Sequence, residues 1–422
     1  MEVSVQPGRL SGHIPVPPSK SHTIRALLVA AAAGGTSRIR SPLFSRDTRA
    51  CMRAVSLLGA VVREEGADLL VEGTGGRFSV PEDVIDVENS GTTLYLAGAM
   101  AALIEGGRAV FTGDAQLRRR TAGPLLASLQ DLGARAESTR GNGCAPLVIG
   151  GPLRGGSTSI ACPTSQYLSA LLLACPLGKG ESLVEVVELN EHPYIDMTLW
   201  WLKAQGVALE REGYDRFRIP GGQSYRAFDL TIPGDYSSAT FFLCAAAVTG
   251  STLTLTNLYP DDPQGDREVL EILERMGCRV EVSPEERAVR ITGGSLSATE
   301  VDMTRIPDAL PALAVTACYA EGTTRLYNAA HTRLKETDRI AVMAQELSRL
   351  GARVEELPDG LLIHGPCPLT GGIASSHDDH RVAMALAVGA LAARAPVTIE
   401  GAEAAEVTFP EFFSLLEAHR TG

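Results

Sequence analysis

The stretch AAAVTGSTLTL, residues 245–255, runs from an alanine-rich segment through Gly250 into alternating Thr and Leu, and it recurs along the chain. Its counterparts are AAAAGGTSRI ending at Ile39, AALIEGGRAVF ending at Phe111, ACPLGKGESLVEV ending at Val186, ACYAEGTTRLY ending at Tyr327 and ALAARAPVTIE ending at Glu400. The markers Gly35, Gly107, Gly180, Gly250, Gly322 and Ala395 lie 72, 73, 70, 72 and 73 residues apart. A fixed period of this length is the signature of one structural unit copied along a chain. In each copy an Ala-rich helix stops at small residues and a strand with period-2 alternation follows.

A second marker keeps the same register: LGAVV, LGARAE, QGVALE, MGCRVE and LGARVE, each at the end of an amphipathic helix. Their glycines Gly59, Gly133, Gly206, Gly277 and Gly351 are 74, 73, 71 and 74 residues apart and suit the left-handed position just past a helix end. Each unit therefore reads as a βαβαββ module of the α/β class, whose parallel strand pair needs a right-handed helical crossover. Six modules make two lobes of three. Pro233 and Gly234 punctuate the extended stretch 231–234 and mark the division. The segment before the first Ala-rich helix could pair as a strand with either lobe; the division adopted is 1–17 plus 232–422 for one lobe and 18–231 for the other.

A chain of 422 residues suits two such lobes. Hydrophobic residues at 45% and charged residues at 21% make it globular, and with only 5% aromatics the cores must be built from Ala, Leu and Val. A net charge of -12 argues against a general binder of nucleic acid or acidic membranes, which an acidic surface repels. The cysteines Cys51, Cys144, Cys162, Cys175, Cys244, Cys278, Cys318 and Cys367 are scattered without a C-x-x-C pair, which reads as reduced, buried thiols rather than a metal or redox site. Residues 1–20 contain four prolines and no signal-peptide core, and no run approaches the roughly 20 apolar residues of a membrane span. A cytoplasmic protein is expected.

Polar residues open every Ala-rich helix: Ser19-Lys20-Ser21, Asn89-Ser90-Gly91-Thr92, Thr164-Ser165-Gln166, Gly234-Asp235-Tyr236-Ser237-Ser238, Ile306-Pro307-Asp308 and His377-Asp378-Asp379-His380-Arg381. Helix capping accounts for Asp235 and its like. It does not account for Lys20, Gln166 or Arg381. Helix N-termini present free N–H groups and the positive end of the helix dipole, so several in one place would hold a polyanion. The runs Arg118-Arg119-Arg120 and Arg46 with Arg49 in SRDTR are equally well solvated charge. KETDR, 335–339, mixes signs at a helix start, where Lys335 and Arg339 one turn apart would bind anions and Glu336 would move protons.

With these residues in view, the chain resembles the 5-enolpyruvylshikimate 3-phosphate synthase (3-phosphoshikimate 1-carboxyvinyltransferase) family. The matching motifs are PPSKSHTIRAL from Pro17, NSGTT from Asn89, TSQYLSALLLA from Thr164, PYIDMT from Pro193, GDYSSA from Gly234, IPD from Ile306, RLKETDR from Arg333, DHRVAMA from Asp379 and TFPEFF from Thr408. The resemblance implies a two-lobed enolpyruvyl transferase fold of six βαβαββ repeats, an active site in the cleft between the lobes, no metal and no cofactor, and a monomer acting on phosphoenolpyruvate and shikimate 3-phosphate. By the same resemblance Ser21 and Arg25 hold the shikimate carboxylate. Thr164, Ser165 and Gln166 meet the acceptor's phosphate and ring, and Tyr194, Asp308 and Lys335 complete that site. Lys20, Asn89, Gly91, Arg120, Gln166, Arg339 and Arg381 grip phosphoenolpyruvate, whose carboxylate suits paired guanidinium groups. Addition of a hydroxyl to C2, protonation at C3 and loss of phosphate need a base and an acid; Asp308 is the candidate base, and Glu336 and Lys20 are the candidates for the C3 proton.

Five positions depart from the family's usual residues: Tyr95 for Arg, Thr121 for Pro, Glu191 for Ser, His331 for Asn and Val407 for Lys. Glu191 is the most consequential, since a carboxylate beside the acceptor phosphate repels it by an amount on the order of 1 to a few kcal/mol at intermediate dielectric. It points away, or pairs with Lys335 or His192, or the acceptor is not shikimate 3-phosphate. An enolpyruvyl transferase of specialised metabolism with another acceptor is the alternative those changes suggest. The related transferase for UDP-N-acetylglucosamine commonly uses a loop cysteine, and 112–124 contains none. A non-catalytic anion-binding scaffold has no chemical need for Lys20, Asp308 and Glu336 together.

Overall fold

A computed structural model describes residues 1–421 and divides the chain into two compact units, Pro18–Ile232 and the segment Met1–Pro17 together with the chain from Pro233. Each unit contains three sheets among the described residues; five of the six share one pattern, a parallel pair extended by two antiparallel strands, while the sheet of Gly372–Ser375, Val397–Glu400 and Glu2–Val5 has the parallel pair and one antiparallel strand. In the module from Gly156, the strand Gly156–Cys162 leads through helix Gln166–Ala174 to the parallel strand Ser182–Leu189. Helix His192–Ala204 follows, and the strands Glu210–Glu212 and Arg216–Ile219 complete the sheet in antiparallel fashion.

The chain ends explain how both units close. In the unit Pro18–Ile232 the first sheet takes its parallel partners from the unit's own end, Tyr225–Arg226 and Asp229–Thr231 beside Ala33–Arg40. In the other unit, Arg9–Pro15 pairs in parallel with Thr252–Thr256, and Glu2–Val5 pairs antiparallel with Val397–Glu400. The N-terminal strands, for which either lobe was open, thus pair within the unit that continues at Pro233.

The Ala-rich helices form the cores. All twelve residues of His380–Leu391 are buried, as are Tyr236–Ala247 in the helix Tyr236–Thr249, so these helices are buried around their whole circumference and their buried polar residues lie toward their starts. Small Ala side chains let helix backbones pack closely, and each fully buried Leu or Val contributes about 1.5–3 kcal/mol. The second helices, such as Arg46–Leu57 and Arg339–Arg349, are amphipathic and bury one face. All five second-marker glycines have positive φ, from 71° at Gly206 to 109° at Gly277, so a side chain at any of them would be strained. Among the described residues no helix is long and apolar enough to cross a membrane.

Candidate active site

Within the unit Pro18–Ile232, the starts of the Ala-rich helices face the starts of the second helices. Ser19 caps helix Lys20–Ala32 by accepting from the His22 amide, and Lys20 stands in its first turn. Its Nζ lies 3.0 Å from Asp47 Oδ2, and Asp47 sits in the first turn of the next helix, 27 residues on. Arg46 and Arg49 are exposed, with Arg49 paired to Glu64 at 3.1 Å and lying over the Phe44 ring, whereas Asp47 is buried.

Arg25, one turn after Ser21, is fully buried. Its Nε donates to Thr198 Oγ1 at 2.9 Å, Nη1 to the Ser21 carbonyl at 3.2 Å, and Nη2 to Ser169 Oγ at 3.2 Å and the Tyr194 carbonyl at 3.1 Å. These acceptors are all neutral. Burial pulls the guanidinium down to about 10, so it stays charged at neutral pH and favours an anionic ligand.

Asn89, Gly91, Arg120 and Gln166 come together. Arg120 Nη2 donates to Asn89 Oδ1 at 2.6 Å, while Asn89 Nδ2 donates to Asp114 Oδ2 at 2.6 Å and Gln116 Oε1 at 2.7 Å. A Cβ at position 91 would stand 3.1 Å from Arg120 Nη1 and 3.6 Å from Gln166 Oε1, so glycine keeps this corner open. Gln166 Oε1 is buried without a hydrogen-bond partner, an arrangement that suits a ligand donor. Arg118 and Arg119 are exposed; of that run only Arg120 turns in. Tyr95 and Tyr167, in edge contact at 5.0 Å, both donate to the Thr121 carbonyl, at 3.0 and 2.5 Å, and so hold the loop that carries Arg120.

Glu191 does not point away from the expected phosphate donors. Its Oε2 accepts from Ser165 N at 3.1 Å, Ser165 Oγ at 2.7 Å and Thr164 Oγ1 at 3.3 Å, and the residue is 1% exposed.

In the other unit one guanidinium organises the cluster. Arg339, 1% exposed, donates from Nε to Asp379 Oδ2 at 2.8 Å, from Nη1 to Asp308 Oδ1 at 2.8 Å and from Nη2 to Glu336 Oε2 at 2.7 Å. Arg381 Nη2 is 3.1 Å from Asp308 Oδ2, so Asp308 bridges two arginines. Burial lowers Arg339, but the charges of Asp379, Glu336 and Asp308 outweigh it and hold the group above its ordinary value. Burial raises Asp379, and Arg339 outweighs that, leaving its carboxyl below the usual range. Asp266, hydrogen-bonded to Ser237, is pushed up to about 7 by burial and then by the neighbouring Asp308, with Arg381 opposing. Asp235 caps helix Tyr236–Thr249, accepting from the Ser237 amide at 2.9 Å.

One expectation needs correction. KETDR does not place Lys335 and Arg339 one turn apart on a helix: Lys335, Glu336 and Thr337 form a bend after the short turn Ala330–Leu334, and only Arg339 lies in helix Arg339–Arg349. Asp338 caps that helix through the Ala341 amide at 3.0 Å, a role the bend makes available.

Sequence reasoning passed over Asp47, Asp114, Asp266 and Asp379 as partners. A signal existed. Lys20 and Asp47, Asn89 and Asp114, Ser165 and Glu191, Ser237 and Asp266, and Asp308 and Arg339 pair at separations of 27, 25, 26, 29 and 31 residues. The repeat thus sets one helix start against the next in module after module.

The fold is that of the enolpyruvyl transferases, as alignment with solved members shows. The chain aligns with the enolpyruvyl transferase NikO from Streptomyces tendae with a TM-score of 0.78 at 21% identity, covering 99% of this chain and 96% of that one, a likeness of fold alone. The EPSP synthase of Acinetobacter baumannii aligns with a TM-score of 0.82 and 29% identity, over 99% of this chain and 98% of that one. The family profile described as EPSP synthase (3-phosphoshikimate 1-carboxyvinyltransferase) matches residues 5–416, and the chain belongs to that family. The 3-phosphoshikimate 1-carboxyvinyltransferase of Acetivibrio thermocellus is 50% identical over 416 residues, 99% of this chain and 97% of that protein.

Proposed function

We propose that the protein transfers the carboxyvinyl group of phosphoenolpyruvate to the 5-hydroxyl of shikimate 3-phosphate and releases phosphate, a step of aromatic amino-acid (chorismate) biosynthesis. The observation that carries this reading is the cluster in which Asp308 and Glu336 share Arg339 while Asp308 also meets Arg381. Proton-handling carboxylates and the cations that suit phosphoenolpyruvate stand side by side there.

In this reading Arg339, Arg381 and Lys20 grip phosphoenolpyruvate with Asn89, Gly91, Arg120 and Gln166. Ser21, Arg25, Thr164, Ser165, Gln166, Tyr194, Asp308 and Lys335 hold shikimate 3-phosphate. Asp308 takes the hydroxyl proton as the acceptor oxygen bonds to C2, and Glu336 or Lys20 delivers a proton to C3. The proton leaves C3 again as the C2–O bond to phosphate breaks, so acid and base exchange roles. Two guanidinium contacts, from Arg339 and Arg381, hold the Asp308 carboxylate in place beside these cations. The preorganised cations stabilise the anionic tetrahedral intermediate.

The protein is further read as a cytoplasmic monomer. Phosphate release from phosphoenolpyruvate that depends on shikimate 3-phosphate, with the enol ether product seen by mass spectrometry, tests the activity. A folded protein that releases no phosphate would redirect the search to another acceptor, the reading that Glu191 on Ser165 favours.

A further inference from the structure

The residue before helix His192–Ala204 behaves unlike an ordinary cap. Glu191 has left-handed backbone angles, φ 62° and ψ 42°, and its side chain makes no capping hydrogen bond. Its carboxylate is instead turned onto a neighbouring helix start, taking the Ser165 amide, the Ser165 hydroxyl and the Thr164 hydroxyl through one oxygen. Ser165 begins helix Gln166–Ala174, so the carboxylate also lies at the positive end of that helix dipole. These are the donors that the proposed function gives to the acceptor's phosphate. A carboxylate and a phosphate oxygen make the same demands on such donors, and both are anionic, so they exclude one another.

We propose that Glu191 is the specificity-determining residue of the acceptor site, an anion built into the chain that holds the phosphate seat on Thr164 and Ser165. A phosphorylated acceptor binds by displacing this carboxylate, and its affinity is set below what a neutral residue at 191 would allow. An acceptor without phosphate leaves the carboxylate in place and is indifferent to it. The inference rests on the assignment of Thr164 and Ser165 to the acceptor phosphate.

The test measures equilibrium binding of shikimate 3-phosphate and of shikimate by calorimetry, for the wild-type protein, Glu191→Ser and Glu191→Gln, each shown to be folded by its thermal transition. Glu191→Ser is expected to bind shikimate 3-phosphate about tenfold more tightly, the effect of one like charge at close range. Shikimate affinity should stay within about threefold. Glu191→Gln, which removes the charge and keeps an acceptor oxygen for Ser165, should fall between wild type and Glu191→Ser, and it decides the matter alone if Glu191→Ser does not fold. Equal or weaker binding of shikimate 3-phosphate by the variants overturns the proposal, and so does equal tightening for both ligands. Wild-type turnover is read separately: no turnover with tighter binding in Glu191→Ser keeps the phosphate seat and removes shikimate 3-phosphate as the natural acceptor.

Discussion

Replacing Arg339 with methionine removes a guanidinium that touches Asp379, Asp308 and Glu336 together, and it does so where little water reaches. Asp379 is fully buried, and the Asp308 and Glu336 side chains are 12% and 16% exposed. Methionine fills much of the same volume, so the loss is chiefly electrostatic. Asp308 keeps Arg381, so the cost falls chiefly on the buried Asp379, and removing one partner of a buried ion pair costs about 3–5 kcal/mol. For a unit of this size that is a fall of roughly 6–20 °C in its melting transition.

The pH dependence identifies the cause. In the wild-type protein Asp379 lies below its ordinary value, because Arg339 outweighs burial; its stabilising contribution is present above about pH 4 and is lost as pH falls through the folded value. In Arg339→Met the Thr337 hydroxyl, the Arg381 amide and His380 stay beside Asp379, but its strongest opposing charge is gone and burial raises the carboxyl, so the variant is penalised most at neutral pH and recovers as the group takes up its proton. Scanning calorimetry at pH 7 and pH 5 should therefore find a gap between wild type and variant that narrows at pH 5. A loss below about 1 kcal/mol, or a gap equal at the two pH values, would refute the reasoning.

Asp308→Asn and Glu336→Gln should each lower kcat by about 10² to 10⁴ while both substrates still bind, because the amides hold their places without moving protons; steady-state kinetics beside calorimetry checks this, and full turnover in either variant removes that residue from the chemistry. Asp266, raised to about 7, contributes stability that is present below about pH 4 and lost as pH rises through 7, so Asp266→Asn should flatten the fall in stability across that window by about one proton in denaturant titrations. Arg25→Lys keeps the charge but cannot reproduce four hydrogen bonds from one planar fork. Its KM for the acceptor should rise about tenfold; a rise confined to phosphoenolpyruvate would show that Arg25 serves the other substrate.

The repeat was legible from the chain because its signals are local. Gly59 or Gly351 past a helix end, alternation such as Thr252–Thr256, and the cap at Asp235 each act within a turn or a strand. They therefore survive without knowledge of the fold. Family motifs added the names of Lys20, Asp308, Glu336, Arg339 and Arg381, residues whose chemistry is recognisable wherever they sit. What the chain order could not reveal is which polar residue each of these meets. Asp47 looked like part of a solvated run until the packing of helix Arg46–Leu57 against helix Lys20–Ala32 brought it 3.0 Å from Lys20. KETDR looked helical until the bend at Lys335–Thr337 left Glu336 beside Arg339. Glu191 looked like a misfit, and only the packing of helix Gln166–Ala174 against His192–Ala204 put its carboxylate on Ser165. The physical reason is the range of the forces. Propensity and capping are settled within about four residues, whereas a buried charge is settled by whatever the tertiary contacts bring to it from 25 or more residues away.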